Sequence, residues 1–157
     1  MDGASGARIP ESVRALLDGS GLKSKIGVTV LLVVNDEAAW PRVASLSVGE
    51  LLVRGDEVLM TLWERSRTTA ALRAARAGLL HVVDGGGIVR IGAGFDPIDV
   101  ETGAGRVTFR GVVEEVELDV VPYAVVTHGI SFELTDPDDA IARWEQQLDR
   151  LRQVPVR

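Results

Sequence analysis

The sequence predicts a mainly β fold, an antiparallel closed or split barrel with short flanking helices. From Ile26 onward, short runs of Val, Leu and Ile are separated by turn signals such as Asn35-Asp36 and Gly85-Gly86-Gly87. Short turns favour antiparallel pairing of consecutive strands. In the predicted strand at 106–120 the apolar side changes from odd to even positions, which requires an extra residue or a sharp bend near Gly111. Such bends occur at barrel corners.

The remaining elements follow from turn and capping signals. Strands are expected at residues 26–34, 42–53, 57–63, 79–84, 88–94, 106–120 and 124–134. Helices are expected near residues 10–18, 66–77 and 137–152. The 157 residues suit one domain. We divide them into a disordered tail at 1–9, a barrel domain at 10–134, and a C-terminal helix at 135–157 packed on the same domain.

Composition excludes several classes of function. The formal net charge of −6 argues against nucleic-acid binding, which needs a basic face. No apolar run approaches the roughly 18 residues that cross a bilayer, so no membrane association is expected. The first residues lack the features of a signal peptide, and cysteine is absent, so we expect a cytoplasmic protein without disulfides. His81 and His128 lie on different predicted strands and give no metal site.

The strand that begins near residue 42 has an unusual face. Ser45, Ser47 and Gly49 share one side, whereas Ala44 and Leu46 belong to an ordinary core side. A stripe of small side chains with hydroxyl groups leaves room for a flat group along the strand. The alternative interpretation is a strand face exposed to water.

The second candidate feature is the basic segment Arg65–Arg76, which contains four arginines and no acidic residue. It opens a helix directly after a strand, and a helix N-terminus presents unpaired N–H groups and partial positive charge. Ser66, Thr68 and Thr69 add hydroxyl donors, and Arg67 can hold two phosphate oxygens. The segment therefore indicates a site for a phosphate monoester. The alternative is that Ser66 is an ordinary N-cap among solvated arginines.

Three stretches together carry a family resemblance. They are Trp40-Pro-Arg-Val-Ala-Ser-Leu-Ser-Val-Gly-Glu, then Val58-Leu-Met-Thr-Leu-Trp, then Ser66-Arg-Thr-Thr-Ala-Ala-Leu before Leu79-Leu-His-Val-Val. This combination resembles the pyridoxamine 5′-phosphate oxidase-like family of FMN-binding split barrels. The resemblance covers residues 26–94 by motif and 10–134 by element order. It implies a six-stranded antiparallel split β-barrel of Greek-key type, a homodimer, and one FMN in each of two clefts between the subunits.

The resemblance also implies site residues. Ser66, Arg67 and Thr68 would hold the flavin phosphate, and Thr69 adds its hydroxyl beside them. The strand residues expected along the ring and ribityl chain are Ala44, Ser45, Leu46, Ser47, Thr61 and Leu62. Many relatives carry Lys in place of Thr68, so the phosphate grip here has one cation fewer.

The function expected on this basis is that of an FMN-dependent oxidoreductase whose substrate and catalytic side chains are unknown. A nicotinamide nucleotide is a candidate reductant. The true vitamin B6 oxidases end in an Arg- and His-bearing strand, whereas this chain ends in a predicted helix, so pyridoxamine phosphate is not expected as the substrate. The alternatives are a flavin- or ligand-binding module without turnover, acting as a store or sensor, and a related barrel that uses a deazaflavin or haem.

Overall fold

The computed structural model describes residues 8–157, so most of the predicted tail lies outside the described residues. Ile9, at the end of that tail, is only 2% exposed and joins the core. The helices are α1 (Glu11–Leu16), α2 (Arg67–Ala75) and α3 (Pro137–Arg152), with a 3₁₀ turn at Leu22–Lys25. The strands are β1 (Val30–Val34), β2 (Arg42–Leu46), β3 (Leu51–Arg54), β4 (Glu57–Trp63), β5 (Ala77–Asp84), β6 (Gly87–Ile98) and β7 (Arg106–Asp119). Within the described residues, no helix is long and apolar enough to cross a membrane.

The strands form one antiparallel sheet in the order β2-β1-β5-β6-β7-β4-β3. The sheet curls into a half-barrel around a core that includes Phe95 and Phe109. The mainly β split-barrel prediction is confirmed, but the sheet has seven strands instead of six. The predicted strand at 42–53 is interrupted by a turn in which the Glu50 N–H donates to the Ser47 carbonyl at 3.1 Å. Its two halves, β2 and β3, form the two opposite edges of the sheet.

The predicted strand at 124–134 is wrong. This stretch is strand-like in composition, but it forms no ladder with any described strand, although β4 pairs with β7 only as far as Val112 and leaves the rest of that side open. It runs instead as an irregular segment past the turn between β5 and β6, where the Val126 N–H donates to the Gly86 carbonyl at 2.9 Å. Composition predicted strand formation, whereas tertiary contacts placed the segment elsewhere.

The predicted change of face in β7 is confirmed as a bulge. Gly92 pairs with Glu115, but its neighbour Ala93 pairs with Val113, so Glu114 is the extra residue. The position differs slightly from the expected one near Gly111. Glycine is required at residue 111 for another reason, because a β-carbon there would overlap the Phe95 ring.

The C-terminal helix covers part of the sheet and is held there at both ends. Asp136 caps α3 by accepting a hydrogen bond from the Asp139 N–H at 3.2 Å, and the helix packs against β3 and β4. Beyond the helix, Arg54 donates to the Val154 carbonyl at 2.7 Å. Arg110 donates in the same way to the Pro155 carbonyl. The last residues are therefore fixed to the sheet beside the turn between β3 and β4.

Candidate functional site

The N-terminus of α2 begins directly after the turn that follows β4, as the sequence predicts. Ser66 Oγ accepts a hydrogen bond from the Thr69 N–H at 3.0 Å and donates to Thr69 Oγ1, which in turn donates to the Trp63 carbonyl at 2.7 Å. Both hydroxyl groups thus hold the turn together, and Thr69 is fully buried. Ser66 is an N-cap, which is the ordinary role considered above.

Two donors of this turn stay available to a ligand. The N–H groups of Arg67 and Thr68 belong to the first turn of the helix, and neither has an acceptor within residues 8–157. The Arg67 side chain is exposed and forms no ion pair with any described residue. Arg65 and Arg73 are exposed and likewise unpaired within that range, whereas Arg76 pairs with Asp96. The start of α2 therefore presents cationic charge without a counter-charge.

The predicted residues of β2 point to two different faces. Ala44 pairs with Leu32 and Leu46 with Val30, and both partners are fully buried, so these side chains face the core. Ser45 lies on the opposite face and is exposed. Because α2 packs against β2 and β1, this strand and the helix start belong to one neighbourhood.

Ser47 is not free to bind a ligand in this conformation. Its N–H and hydroxyl both donate to the Glu50 carboxylate, at 2.7 and 3.1 Å, and the residue is 9% exposed. Thr61 and Leu62, on neighbouring β4, are also buried, at 3% and 5% exposure. Two residues of the predicted site are therefore exposed, Ser45 and Arg67. Three others are partly buried: Ala44, Ser66 and Thr68.

A flat group does lie over the Gly49 end of the small-residue stripe, but it belongs to the chain itself. The Trp144 indole packs so closely on Gly49 that a β-carbon there would overlap the ring. Trp144 and Glu50 are the two residues near the site that the sequence analysis missed. The glycine at position 49 signalled a close neighbour, but its identity required knowing that α3 folds back over β3.

A separate groove lies elsewhere on the sheet. It has a volume of about 700 Å³ and is lined by Val33, Leu79, Gly92 and the two carboxylates of Glu114 and Glu115, among others. None of the predicted site residues lines it. The two acidic groups make it unsuited to a phosphate, so the cationic start of α2 remains the better candidate for an anionic cofactor.

No protein-family model matches the chain. The uncharacterized protein YclD of Bacillus subtilis is 30% identical over 142 residues, which cover 87% of this chain and 91% of YclD.

Solved structures show where the fold recurs. A putative pyridoxamine 5′-phosphate oxidase from Lactobacillus delbrueckii superposes with a TM-score of 0.54 at 14% identity, over 70% of this chain and 93% of that one. An F420 reductase superposes with a TM-score of 0.54 at 14% identity, over 69% of this chain and 98% of the reductase. An FMN-binding protein from Syntrophomonas wolfei has a TM-score of 0.50 at 13% identity, over 69% of this chain and 88% of that protein. The haem storage protein HutZ from Vibrio cholerae has a TM-score of 0.52 at 9% identity, over 71% of this chain and 95% of HutZ.

The structural matches share the architecture of this chain. The structural identities are too low to transfer a ligand, and they establish the fold alone. The match to YclD extends over nearly the whole of both proteins. The chain therefore belongs to the family of Bacillus subtilis YclD, and its fold is the split barrel of the pyridoxamine 5′-phosphate oxidase-like proteins.

Proposed function

We propose that this protein binds FMN through its phosphate at the start of α2 and acts as a flavin-dependent oxidoreductase. The single observation that carries the proposal is the unpaired cationic turn. Arg67 has no acidic partner among residues 8–157, and two N–H groups beside it lack acceptors. In a protein with a net charge of −6, such a turn suits a dianionic phosphate.

The residues fit the phosphate end of FMN better than the ring end. Arg67, Thr68 and the two free N–H groups supply donors for the phosphate oxygens. Ser45 is the accessible strand residue along which the ribityl chain and ring would extend, because Ala44 faces the core and Ser47 and Thr61 are closed off. When bound, the flavin supplies the electron and hydride transfer, and the protein binds and orients it.

We also propose that the functional unit is a homodimer. A row of side chains runs across four strands on the face opposite the core, from Val43 through Val33, Leu79 and Gly92. Val43 is 58% exposed, and Val112, further along the same face, is 52% exposed. A second chain on this face would bury the apolar row and enclose a flavin that one subunit leaves open. A specific interface of this kind buries roughly 1,000 Å² or more in total.

Two alternatives differ from the proposal in ligand or turnover. One is a flavin-binding module without turnover, and the other is a barrel that holds a deazaflavin or haem. F420 reductase and HutZ have the same fold, which makes the ligand an experimental question. A cytoplasmic location also stays a prediction, and cell fractionation tests it.

The decisive experiment is the visible spectrum of the purified protein after it has been mixed with FMN, F420 or haem and separated from free ligand. Retention of FMN, with bleaching on addition of NADH or NADPH, supports the oxidoreductase. Retained FMN that neither nucleotide reduces supports the module without turnover. Retention of F420 or haem but not FMN contradicts the proposal. Light scattering on the same sample tests the dimer, because a monomer at micromolar concentration contradicts it.

A further inference from the structure

A second group of arginines lies beside the α2 turn, on the other side of Trp63. Arg106 pairs with Trp63 across β7 and β4, and its guanidinium stacks 3.9 Å from the centre of the indole ring. Trp63 is 57% exposed, so the ring forms the outer wall of this group. The two sites adjoin because the Glu64 N–H donates to the Gly105 carbonyl at 2.9 Å, which ties the turn before α2 to the start of β7.

The Arg106 side chain is incompletely satisfied. With the Gln147 amide oriented to suit both neighbours, its oxygen accepts from Arg106 Nη2 at 3.3 Å while its nitrogen donates to the Gly49 carbonyl at 3.0 Å. Arg106 Nη1 is buried and has no hydrogen-bond partner within the described residues. No carboxylate in residues 8–157 lies within ion-pair distance of Arg106. A buried guanidinium nitrogen without an acceptor is unusual, since such groups cost free energy to bury unpaired.

Two neighbouring arginines add positive charge around Arg106. Arg150, on α3, packs its guanidinium against Gly103 and forms no ion pair in the described range, whereas Arg143, two turns earlier on the helix, pairs with Asp139. Burial first, and then the proximity of Arg143 and Arg150, lower the pKa of Arg106 from its usual value, whereas Glu50 opposes the shift. The Glu50 carboxylate already accepts two hydrogen bonds from Ser47. Arg106 and Arg150 therefore lack an ion-pair partner of their own within residues 8–157.

We propose that Arg106 and Arg150 form a binding site for an oxyanion, the phosphate or carboxylate group of a ligand, with Trp63 as its cover. Either group can accept from a guanidinium through two oxygens and would satisfy the unpaired nitrogen of Arg106. Trp63 lies over the Arg106 guanidinium through an exposed cation–π contact, and no side-chain hydrogen bond holds the ring within residues 8–157. Rotation of the indole away from Arg106 opens the site.

This site is independent of the proposed flavin phosphate site, although the two adjoin. The first uses guanidinium groups from β7 and α3, and the second uses the N-terminus of α2 and Arg67. A ligand with two anionic groups would be able to reach both. The site can therefore bind an oxyanion even if the protein binds no flavin.

The test follows Trp63 fluorescence during titration with sodium phosphate, and separately with sodium acetate, against sodium chloride at equal ionic strength. The full chain is used with Trp40→Phe, because Trp40 is 85% exposed and would add its own signal, and the double variant Trp40→Phe, Trp63→Phe measures the background from Trp144, which is 8% exposed. We expect a saturable change with phosphate, acetate or both, and none with chloride. Arg150→Met should weaken the binding about ten- to hundred-fold, as should Arg106→Met if that variant folds. Which anion binds more tightly identifies the group.

Two further variants separate this site from the neighbouring turn. Arg73→Met removes an exposed and unpaired arginine elsewhere, and Arg67→Met removes the proposed flavin contact. Both should leave the Trp63 titration unchanged. A response that Arg150→Met leaves intact, that Arg67→Met abolishes, or that chloride reproduces would overturn the proposal. The absence of any response to both phosphate and acetate would overturn it as well.

Discussion

The Trp144 indole packs directly on Gly49, so that α3 covers the Gly49 end of the stripe formed by Ser45, Ser47 and Gly49. Gly49→Ala should therefore destabilise the protein by about 1–3 kcal/mol, the usual range for overpacking a close contact. Urea unfolding measures the change. Gly92→Ala is the matched control, because a β-carbon there meets its nearest neighbour at an ordinary 3.6 Å. Equal stability of the two variants would show that the indole is not held against residue 49.

The capping and phosphate-binding roles of Ser66 can be separated by two substitutions. Ser66→Ala removes the acceptor of the Thr69 N–H and should reduce the unfolding free energy by about 1 kcal/mol. Ser66→Asp keeps a capping acceptor but adds negative charge beside Arg67, so it should retain stability and weaken FMN binding. Thermal unfolding and a flavin titration measure the two effects. If Ser66→Asp binds FMN as tightly as the wild type, the phosphate does not lie at this turn.

Arg67 is the residue whose loss should distinguish FMN from riboflavin. A charge-assisted contact with the phosphate is worth about 1.5–3 kcal/mol, so Arg67→Ala should weaken FMN binding about ten- to hundred-fold. Riboflavin has no phosphate and should bind almost as before. Arg73→Ala, in the last turn of α2, is the control and should affect neither ligand. Equal losses for both flavins would mean that Arg67 acts through structure.

Local patterns predicted most of this fold because short-range chemistry determines it. The Asp136 cap and Pro137 predicted α3 to the residue, and Ser66 predicted the start of α2. The change of face in β7 predicted a bulge, found at Glu114. The strand predicted at 124–134 was wrong because composition does not determine pairing: the segment joins no ladder, although β7 beyond Val112 has an open side.

The candidate site was less predictable because tertiary contacts determine which of its residues are accessible. The sequence suggested a free hydroxyl at Ser47, but this hydroxyl donates a hydrogen bond to the Glu50 carboxylate across the turn. It also suggested open space at Gly49, but Trp144 of α3, more than ninety residues further along the chain, fills that space. Arg106 was not distinguished from other surface arginines, because its partners come from β4 and α3.

Glu57 should contribute more to stability than other acidic residues of the sheet. Its carboxylate lies between Arg54 and Arg110, at 2.7 and 2.6 Å, and its side chain is only 14% exposed. Glu57→Gln leaves two largely buried cations without a counter-charge and should cost about 3 kcal/mol. Glu117→Gln removes a 59% exposed partner of Arg90 and should cost less than about 1 kcal/mol. Urea unfolding compares them, and equal costs would contradict this ranking.

Asp18 should make folding sensitive to acid. Partial burial raises its pKa, but hydrogen bonds from the Ser20 hydroxyl and N–H and the nearby Lys25 outweigh this effect and lower the pKa from 3.8 to about 2. The carboxylate therefore stabilises the fold above pH 4, and that contribution disappears as the pH falls towards 2. Because the side chain is 45% exposed, we expect at most about 1 kcal/mol. Asp18→Asn and Ser20→Ala should both reduce the loss of stability between pH 7 and pH 2, and an unchanged pH profile would contradict the assignment.

The hydrogen bonds from Arg54 and Arg110 to the carbonyls of Val154 and Pro155 have a consequence for synthesis on the ribosome. The chain emerges N-terminus first, so β3 and β4 are made long before α3 and the carbonyls of Val154 and Pro155 that Arg54 and Arg110 bind. Until α3 has emerged, the face beneath it is uncovered and Trp144 is absent from Gly49. The nascent half-barrel would meet chaperones or a second chain with that face open.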